Sequence, residues 1–191
     1  MLRIIGGRWR GRRLQAPKGM AVRPTAEKVR GGILNMLTHR GAVAGACLFD
    51  LYAGTGALGL EALSRGAARV VFVESNPRTA ARIRETLRAL EADPATWEVV
   101  TAKAETWLRQ GAWGEAPDAL LLDPPYAAGV HARLLGLIAA APGVPDGAWV
   151  VLETSARQAL ETPPGLELSQ VKGYGDTNVW LLHKTATPPS T

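Results

Sequence analysis

Cys47-Leu48-Phe49-Asp50-Leu51-Tyr52-Ala53-Gly54-Thr55-Gly56-Ala57-Leu58-Gly59 runs from an apolar stretch through a glycine-punctuated loop into a helical pattern. The spacing predicts a buried strand over Cys47–Tyr52 and a short helix over Gly56–Arg65. The same alternation continues downstream. Strands are predicted at Arg69–Glu74, Trp97–Thr101, Ala119–Leu122 and Ala148–Leu152. Helices are predicted from Pro77 to Leu90, with Ile83, Leu87 and Leu90 on one face, and over Ala104–Gln110 and His131–Ala141. Repeated strand–helix units imply an α/β fold with a parallel sheet covered by helices. Leu166–Val171 alternates apolar with polar residues as an edge strand does, and Val179–His183 follows as a final strand, so the sheet closes on an antiparallel edge.

Upstream, Leu2–Ile5 and Arg12–Gln15 read as short extended pieces joined through Gly6-Gly7 and Gly11. Thr25 is placed to cap a helix over Ala26–Leu37, whose Val29, Ile33 and Leu37 recur every four residues. Gly31-Gly32 weaken that helix or permit close packing. Residues 185–191 hold two prolines and no large apolar side chain, and read as a flexible tail.

The 191 residues carry a formal charge of +5, distributed unevenly. Residues 1–40 contain ten Lys or Arg against one acid, Glu27, whereas the remainder is net acidic. A basic arm on a mildly acidic body fits a polyanionic partner. Cys47 is the only cysteine, which excludes a disulfide framework and a cysteine-based zinc cluster. His39, His131 and His183 are too scattered to form a His-pair metal motif, so no metal is expected. The longest uncharged stretch, Leu134–Pro145, is too short and too broken to span a bilayer, and the first residues lack an apolar signal region. The expected setting is a reducing cytoplasm, with no membrane partner.

In the loop after the first strand, Gly54 and Gly56 let the chain turn tightly and let a ligand approach the backbone. Glu74 ends the next strand twenty residues after Gly54, where an acid accepts hydrogen bonds from a ribose. These features do not separate a dinucleotide from another adenosine cofactor. Asp50 helps, because an acid before the loop repels a pyrophosphate but can pair with the ammonium of S-adenosylmethionine. No phosphate-binding GxxxxGK[ST] and no GxSxG nucleophile elbow occurs. Asp123-Pro124-Pro125-Tyr126 follows the fourth strand. Its prolines fix the backbone and remove two donors, leaving carbonyls aimed into a cleft. Asp123 beside such a carbonyl can accept both hydrogens of an exocyclic NH2 and turn the nitrogen lone pair toward an electrophile, while Tyr126 stacks on the base.

Asp50–Gly59, Glu74 and Asp123–Tyr126 together resemble the seven-stranded, Rossmann-like class I methyltransferases that act on nucleobase amino groups. Ile4-Ile5-Gly6-Gly7-Arg8-Trp9-Arg10-Gly11-Arg12, Val22–Arg30 and Gly173-Tyr174-Gly175-Asp176-Thr177 narrow the resemblance to the RsmD family of small-subunit (16S) rRNA (guanine-N2)-methyltransferases. The resemblance implies S-adenosylmethionine as cofactor and rRNA, or its assembly particle, as partner. It implies that Ala53, Gly54 and Gly56 line the methionine part of the cofactor and that Glu74 holds its ribose. Asp123, Pro124, Pro125 and Tyr126 hold the guanine. Lys103-Ala104-Glu105 lies where related enzymes cap the adenine, with Lys103 standing where many have Asp or Asn, so Ala104 and Glu105 are the candidates there. Arg23, Thr25 and Arg30 fall in or beside the site. Arg3, Arg8, Arg10, Arg12, Arg13, Lys18 and Arg30 are the candidate RNA contacts. The expected division is a basic hairpin and helix over 1–40 beyond the cofactor fold, a methyltransferase domain over 41–184, and the tail. The expected chemistry is in-line displacement of the sulfonium methyl by N2, with no covalent enzyme intermediate and Cys47 in the core. Methylation of adenine N6 in RNA or DNA, and a non-catalytic RNA-binding protein on the same fold, are the alternatives.

Overall fold

The computed structural model describes residues 2–14, 24–111, 113–125 and 129–186. Cys47–Asp50 (β1) sits inside a seven-stranded sheet, and all four of its residues are buried because both sheet faces are covered. The other strands are Arg69–Glu74 (β2), Trp97–Thr101 (β3), Ala119–Leu122 (β4), Trp149–Ser155 (β5), Leu166–Tyr174 (β6) and Thr177–Lys184 (β7). Their order is β3-β2-β1-β4-β5-β7-β6. The first five are parallel, β7 runs antiparallel to β5, and β6 closes the edge antiparallel to β7.

Side chains on a strand alternate between faces, and that period divides the protein into two cores. Leu48, Phe72, Leu121 and Val151 face the helices Pro24–Thr38 (α1), Ala57–Ser64 (α2) and Pro77–Ala89 (α3). Phe49, Val71, Leu120, Leu122 and Leu152 face Ala104–Gln110 (α4) and Val130–Ala140 (α5). The predicted spans of β2, β3, α4 and β4 coincide with the structure. The last three strands outrun the prediction. β6 and β7 extend to a two-residue turn at Gly175-Asp176, where Tyr174 pairs with Thr177, and β5 extends to Ser155 alongside them. Antiparallel backbone pairing carries these strands past the end of their apolar pattern. Tyr174 in that turn segment packs against Gly32 of α1, the close approach that the glycine pair allows.

The basic arm is not set apart from the sheet, which corrects the expectation that it lies beyond the cofactor fold. Arg3 bridges Arg13 in antiparallel fashion, and Leu2, Ile4, Trp9 and Leu14 are buried in the same core as α1, α2 and α3. Glu61 of α2, fully buried, accepts hydrogen bonds from the Ile5 and Gly6 N–H groups, each at 2.8 Å. Ser64 Oγ accepts from Trp9 N at 2.9 Å and donates to the Gly6 carbonyl at 2.6 Å. The arm is therefore stitched to the C-terminal half of α2.

Candidate functional site

After β1 the chain turns at Gly54 (φ 52°) and Gly56 (φ 74°), both in the left-handed region that disfavours a side chain. A Cβ at Gly59 would run into the Phe72 ring and Val70, so the third glycine is what lets α2 lie close on β2. Asp50 is buried, and its Oδ2 accepts from Gly59 N at 3.0 Å, tying the end of β1 to the first turn of α2. One of its oxygens is thus committed inside the fold rather than left for a ligand. Glu74 Oε2 accepts from Gly54 N at 2.9 Å and Oε1 from Asn76 N at 2.7 Å. A carboxylate has about four lone-pair sites, so Glu74 keeps capacity for a diol while fixing the loop.

Glu74 also lines a small cleft of about 70 Å³ together with Tyr52, Lys103, Ala104 and Glu105. Glu105 pairs with Arg133 at 3.3 Å, which holds its carboxylate at the rim. Among the described residues the buried Tyr52 hydroxyl meets no strict hydrogen-bond geometry, and burial with the nearby Glu105 raises its pKa above the usual tyrosine range. A larger hollow of about 380 Å³ lies at the other end of the sheet, between Arg40, Asp118 and Trp149. Open parallel sheets bind ligands at the carboxyl ends of their strands, and those ends carry the small cleft and the acids described next.

Leu122 and Leu152 are paired across β4 and β5, so Asp123 and Glu153 occupy the next step together. By parity with Leu48, Leu121 and Val151, the side chains of Asp50, Asp123 and Glu153 all stand on the sheet face covered by α1 and α2. The three acids repel one another. Burial first, then Asp123 and Asp50, push Glu153 up to about 8. Burial likewise pushes Asp50 up to about 7, against the lowering effect of the Gly59 hydrogen bond. Asp123 is exposed, yet loss of water on its packed side raises its carboxyl too. Glu153 is absent from the residues read off the sequence. Its signal was an acid ending an apolar strand, the position Glu74 also holds.

Pro124 is buried and Pro125 exposed beyond Asp123. Tyr126, Arg23 and Lys18 lie outside the described residues, as does the side chain of Thr25. Ala53 is buried, its N–H donating to the Val73 carbonyl at 3.1 Å. Arg3, Arg8, Arg10, Arg12 and Arg13 are exposed, with the Arg8 guanidinium 4.1 Å above the Trp9 ring. Arg30 does not join them. It is buried, donates to the Arg3 carbonyl at 2.6 Å and lies 3.8 Å from Glu61, so it is withdrawn from any RNA surface. A buried glutamate on α2 requires a cation, and Arg65 at 2.9 Å supplies it with Arg30 alongside.

These acids give the folded protein a defined pH response. The unfolded chain releases their protons near about pH 4, whereas the folded chain keeps them to about pH 7 at Asp50 and about pH 8 at Glu153. Between those limits the folded state binds more protons, so stability falls as pH rises. The thermal midpoint is expected to drop from about pH 5 to about pH 8, and Asp50→Asn with Glu153→Gln to flatten the drop. A midpoint that rises across this window would contradict the assignment.

Comparison with known proteins places this arrangement among relatives. Residues 2–183 match the family described as "Conserved hypothetical protein 95". The "Ribosomal RNA small subunit methyltransferase D" of Escherichia coli K12 is 34% identical over 85% of this chain and 79% of its own. The protein of the same name from Haemophilus influenzae is 31% identical over 91% of this chain and 89% of its own. The solved structure of the Escherichia coli protein yhhF superposes with a TM-score of 0.84 at 29% identity, covering 96% of this chain and 97% of that one.

Proposed function

The chain belongs to the conserved hypothetical protein 95 family, and from that membership we propose that it transfers a methyl group from S-adenosylmethionine to the exocyclic N2 of a guanine in small-subunit rRNA. The observation that carries the reading is Asp123 at the end of β4, ahead of two prolines and beside the glycine loop. The names of the Escherichia coli and Haemophilus influenzae relatives support rRNA of the small subunit as the substrate.

The residues around the loop suit this cofactor. Asp50, Glu74 and Asp123 stand at the strand ends, acids that favour an ammonium and a sulfonium and oppose a pyrophosphate. S-adenosylmethionine, when bound, supplies an electrophilic methyl on a good leaving group. Glu74 accepts from the ribose hydroxyls, and Gly54 and Gly56 leave room for the methionine part. Ala104 and the Tyr52 hydroxyl border the cleft for the adenine. Asp123 accepts from N2–H, which turns the nitrogen lone pair away from the ring plane and toward the methyl. Were N2 to displace the thioether from that methyl, Asp123 would steady the positive charge developing on the nitrogen until its surplus proton left for water. The chain contributes position and electrostatics rather than a nucleophile, and Cys47 is buried with its thiol pushed up to about 12.

Three measurements follow. Protein incubated with undermethylated small and large ribosomal subunits and labelled cofactor is expected to label small-subunit rRNA; label confined to the large subunit would refute the substrate. Glu74→Ala is expected to weaken S-adenosylmethionine binding by about 1–3 kcal/mol in calorimetry, the cost of unpaired buried hydroxyls. Unchanged affinity would remove Glu74 from the site.

The arm calls for point changes, since deleting it would strip Leu2, Ile4 and Trp9 from the core. Replacing Arg8, Arg10 and Arg13 with Ser is expected to weaken RNA binding and to make its salt dependence shallower, by about one slope unit per lost phosphate contact. Cofactor affinity should hold, because the arm joins α2 at Glu61 and Ser64 while the glycine loop lies at the other end of that helix. Identical salt slopes would mean that these arginines do not touch phosphate.

A further inference from the structure

We propose that Glu153 reads the Watson–Crick edge of the target base, accepting from guanine N1–H and donating to O6 while Asp123 holds N2. This inference rests on the guanine-N2 reading and extends it to base choice.

Position comes first. Asp123 and Glu153 lie one step beyond the Leu122–Leu152 pair, on neighbouring parallel strands and on the same face of the sheet. Neighbouring strands are about 4.8 Å apart, the scale of a nucleobase edge. A base whose amino group sits at Asp123 therefore presents its next ring positions toward Glu153.

The state of the carboxyl comes second. Glu61, the structural glutamate of this fold, is fully buried and is satisfied by two backbone N–H groups and Arg65, with Arg30 alongside. Glu153 is different. Among the described residues its carboxyl makes no hydrogen bond or ion pair, and the charged groups that act on it are Asp123 after β4, Asp50 of β1 and, most weakly, Arg30 of α1. Burial, and after it two acids of like charge, keep its proton in place at neutral pH. A neutral carboxylic acid offers one acceptor and one donor side by side.

Guanine complements that pair. With N2 at Asp123, the next positions are N1–H, a donor, and O6, an acceptor, and both are satisfied. Adenine with N6 at Asp123 presents N1, an acceptor, and then C2–H, so only one of the two is satisfied. A site that leaves a polar group unpaired rejects the poorer match. The same Asp-Pro-Pro-Tyr segment is compatible with either amino group, and the neighbouring strand supplies the discrimination.

The test uses small-subunit particles reconstituted with either guanine or 2-aminopurine at the position where the methyl group maps. 2-Aminopurine keeps the N2 amino group but has an acceptor at N1 and only C–H at position 6. Wild-type protein is expected to favour guanine in kcat/KM by about tenfold or more. Glu153→Gln keeps a donor and an acceptor in the same places and should retain that preference. Glu153→Ala should lose about tenfold or more on guanine, little on 2-aminopurine, and so bring the two substrates within about threefold. Calorimetry should give the same S-adenosylmethionine affinity for all three proteins, which a collapsed site would not. A preserved preference in Glu153→Ala, or a Gln variant as impaired as the Ala variant, overturns the role of Glu153 while leaving the guanine reading intact. Wild-type protein that leaves guanine N2 unmethylated in these particles overturns both.

Discussion

Asp123→Ala is expected to slow methyl transfer by about 10²-fold or more in single-turnover assays, while S-adenosylmethionine affinity stays within about tenfold. The separation follows from where the side chain stands. The proposed cofactor contacts, the glycine loop, Glu74 and the cleft at Ala104, are all on the β1–β2–β3 side of the sheet. Asp123 stands on the β4 side, where an amino group would have to be held against the methyl. An exocyclic NH2 is a poor nucleophile because its lone pair is delocalised into the ring, so losing its one positioned acceptor costs the transition state more than the ground state. Removing Asp123 also takes away a negative neighbour of Glu153, and the Glu153 pKa is expected to fall toward the ordinary range in the variant. Near-normal turnover in Asp123→Ala would mean that the Asp-Pro-Pro segment only shapes a turn.

Glu61→Ala is expected to cost about 3–5 kcal/mol of folding stability, the largest loss foreseen for any single change away from the catalytic cleft. Glu61 is fully buried, and its two oxygens hold Ile5 N, Gly6 N and Arg65 Nε, with Arg30 beside them. Truncation leaves the buried Arg30 guanidinium and two backbone donors uncompensated in the same place. The N-terminal hairpin then loses its attachment to α2, and Trp9 and Ile4 lose their seat in the core. Urea unfolding of the variant, followed by the loss of Trp fluorescence, measures the effect. A loss below about 1 kcal/mol would mean that apolar burial alone holds the arm in place.

Much of the sheet was legible because its strands announce themselves locally. Arg69–Glu74 and Ala119–Leu122 are short apolar runs bounded by breakers, and their predicted ends match the structure. The glycine loop, Glu74 and the acid after β4 were likewise visible, since each occupies a fixed place at a strand end. Long-range pairing was not visible. The arginines of the arm suggested an extension beyond the fold, but Leu2, Ile4, Trp9 and Leu14 alternate with them and join the core, while Ile5, Gly6 and Trp9 find hydrogen-bond partners more than fifty residues away on α2. Separation along the chain also hid Arg30, which looked like one more surface cation and lies buried beside Glu61 and its partner Arg65. Glu153 was missed for a related reason. A single acid ending a strand carries no motif, and it acquires meaning only when β5 is laid beside β4 and Asp123 comes to the same level.

Methyl transfer to guanine N2 is tested most directly by nucleoside mass spectrometry on small-subunit rRNA from particles treated with this protein and S-adenosylmethionine, against untreated particles. Methylation of guanine N2 predicts one new N2-methylguanosine, absent when Asp123→Ala replaces the wild-type protein. A new N6-methyladenosine, or no new methylated nucleoside in particles that bind the protein, would contradict it.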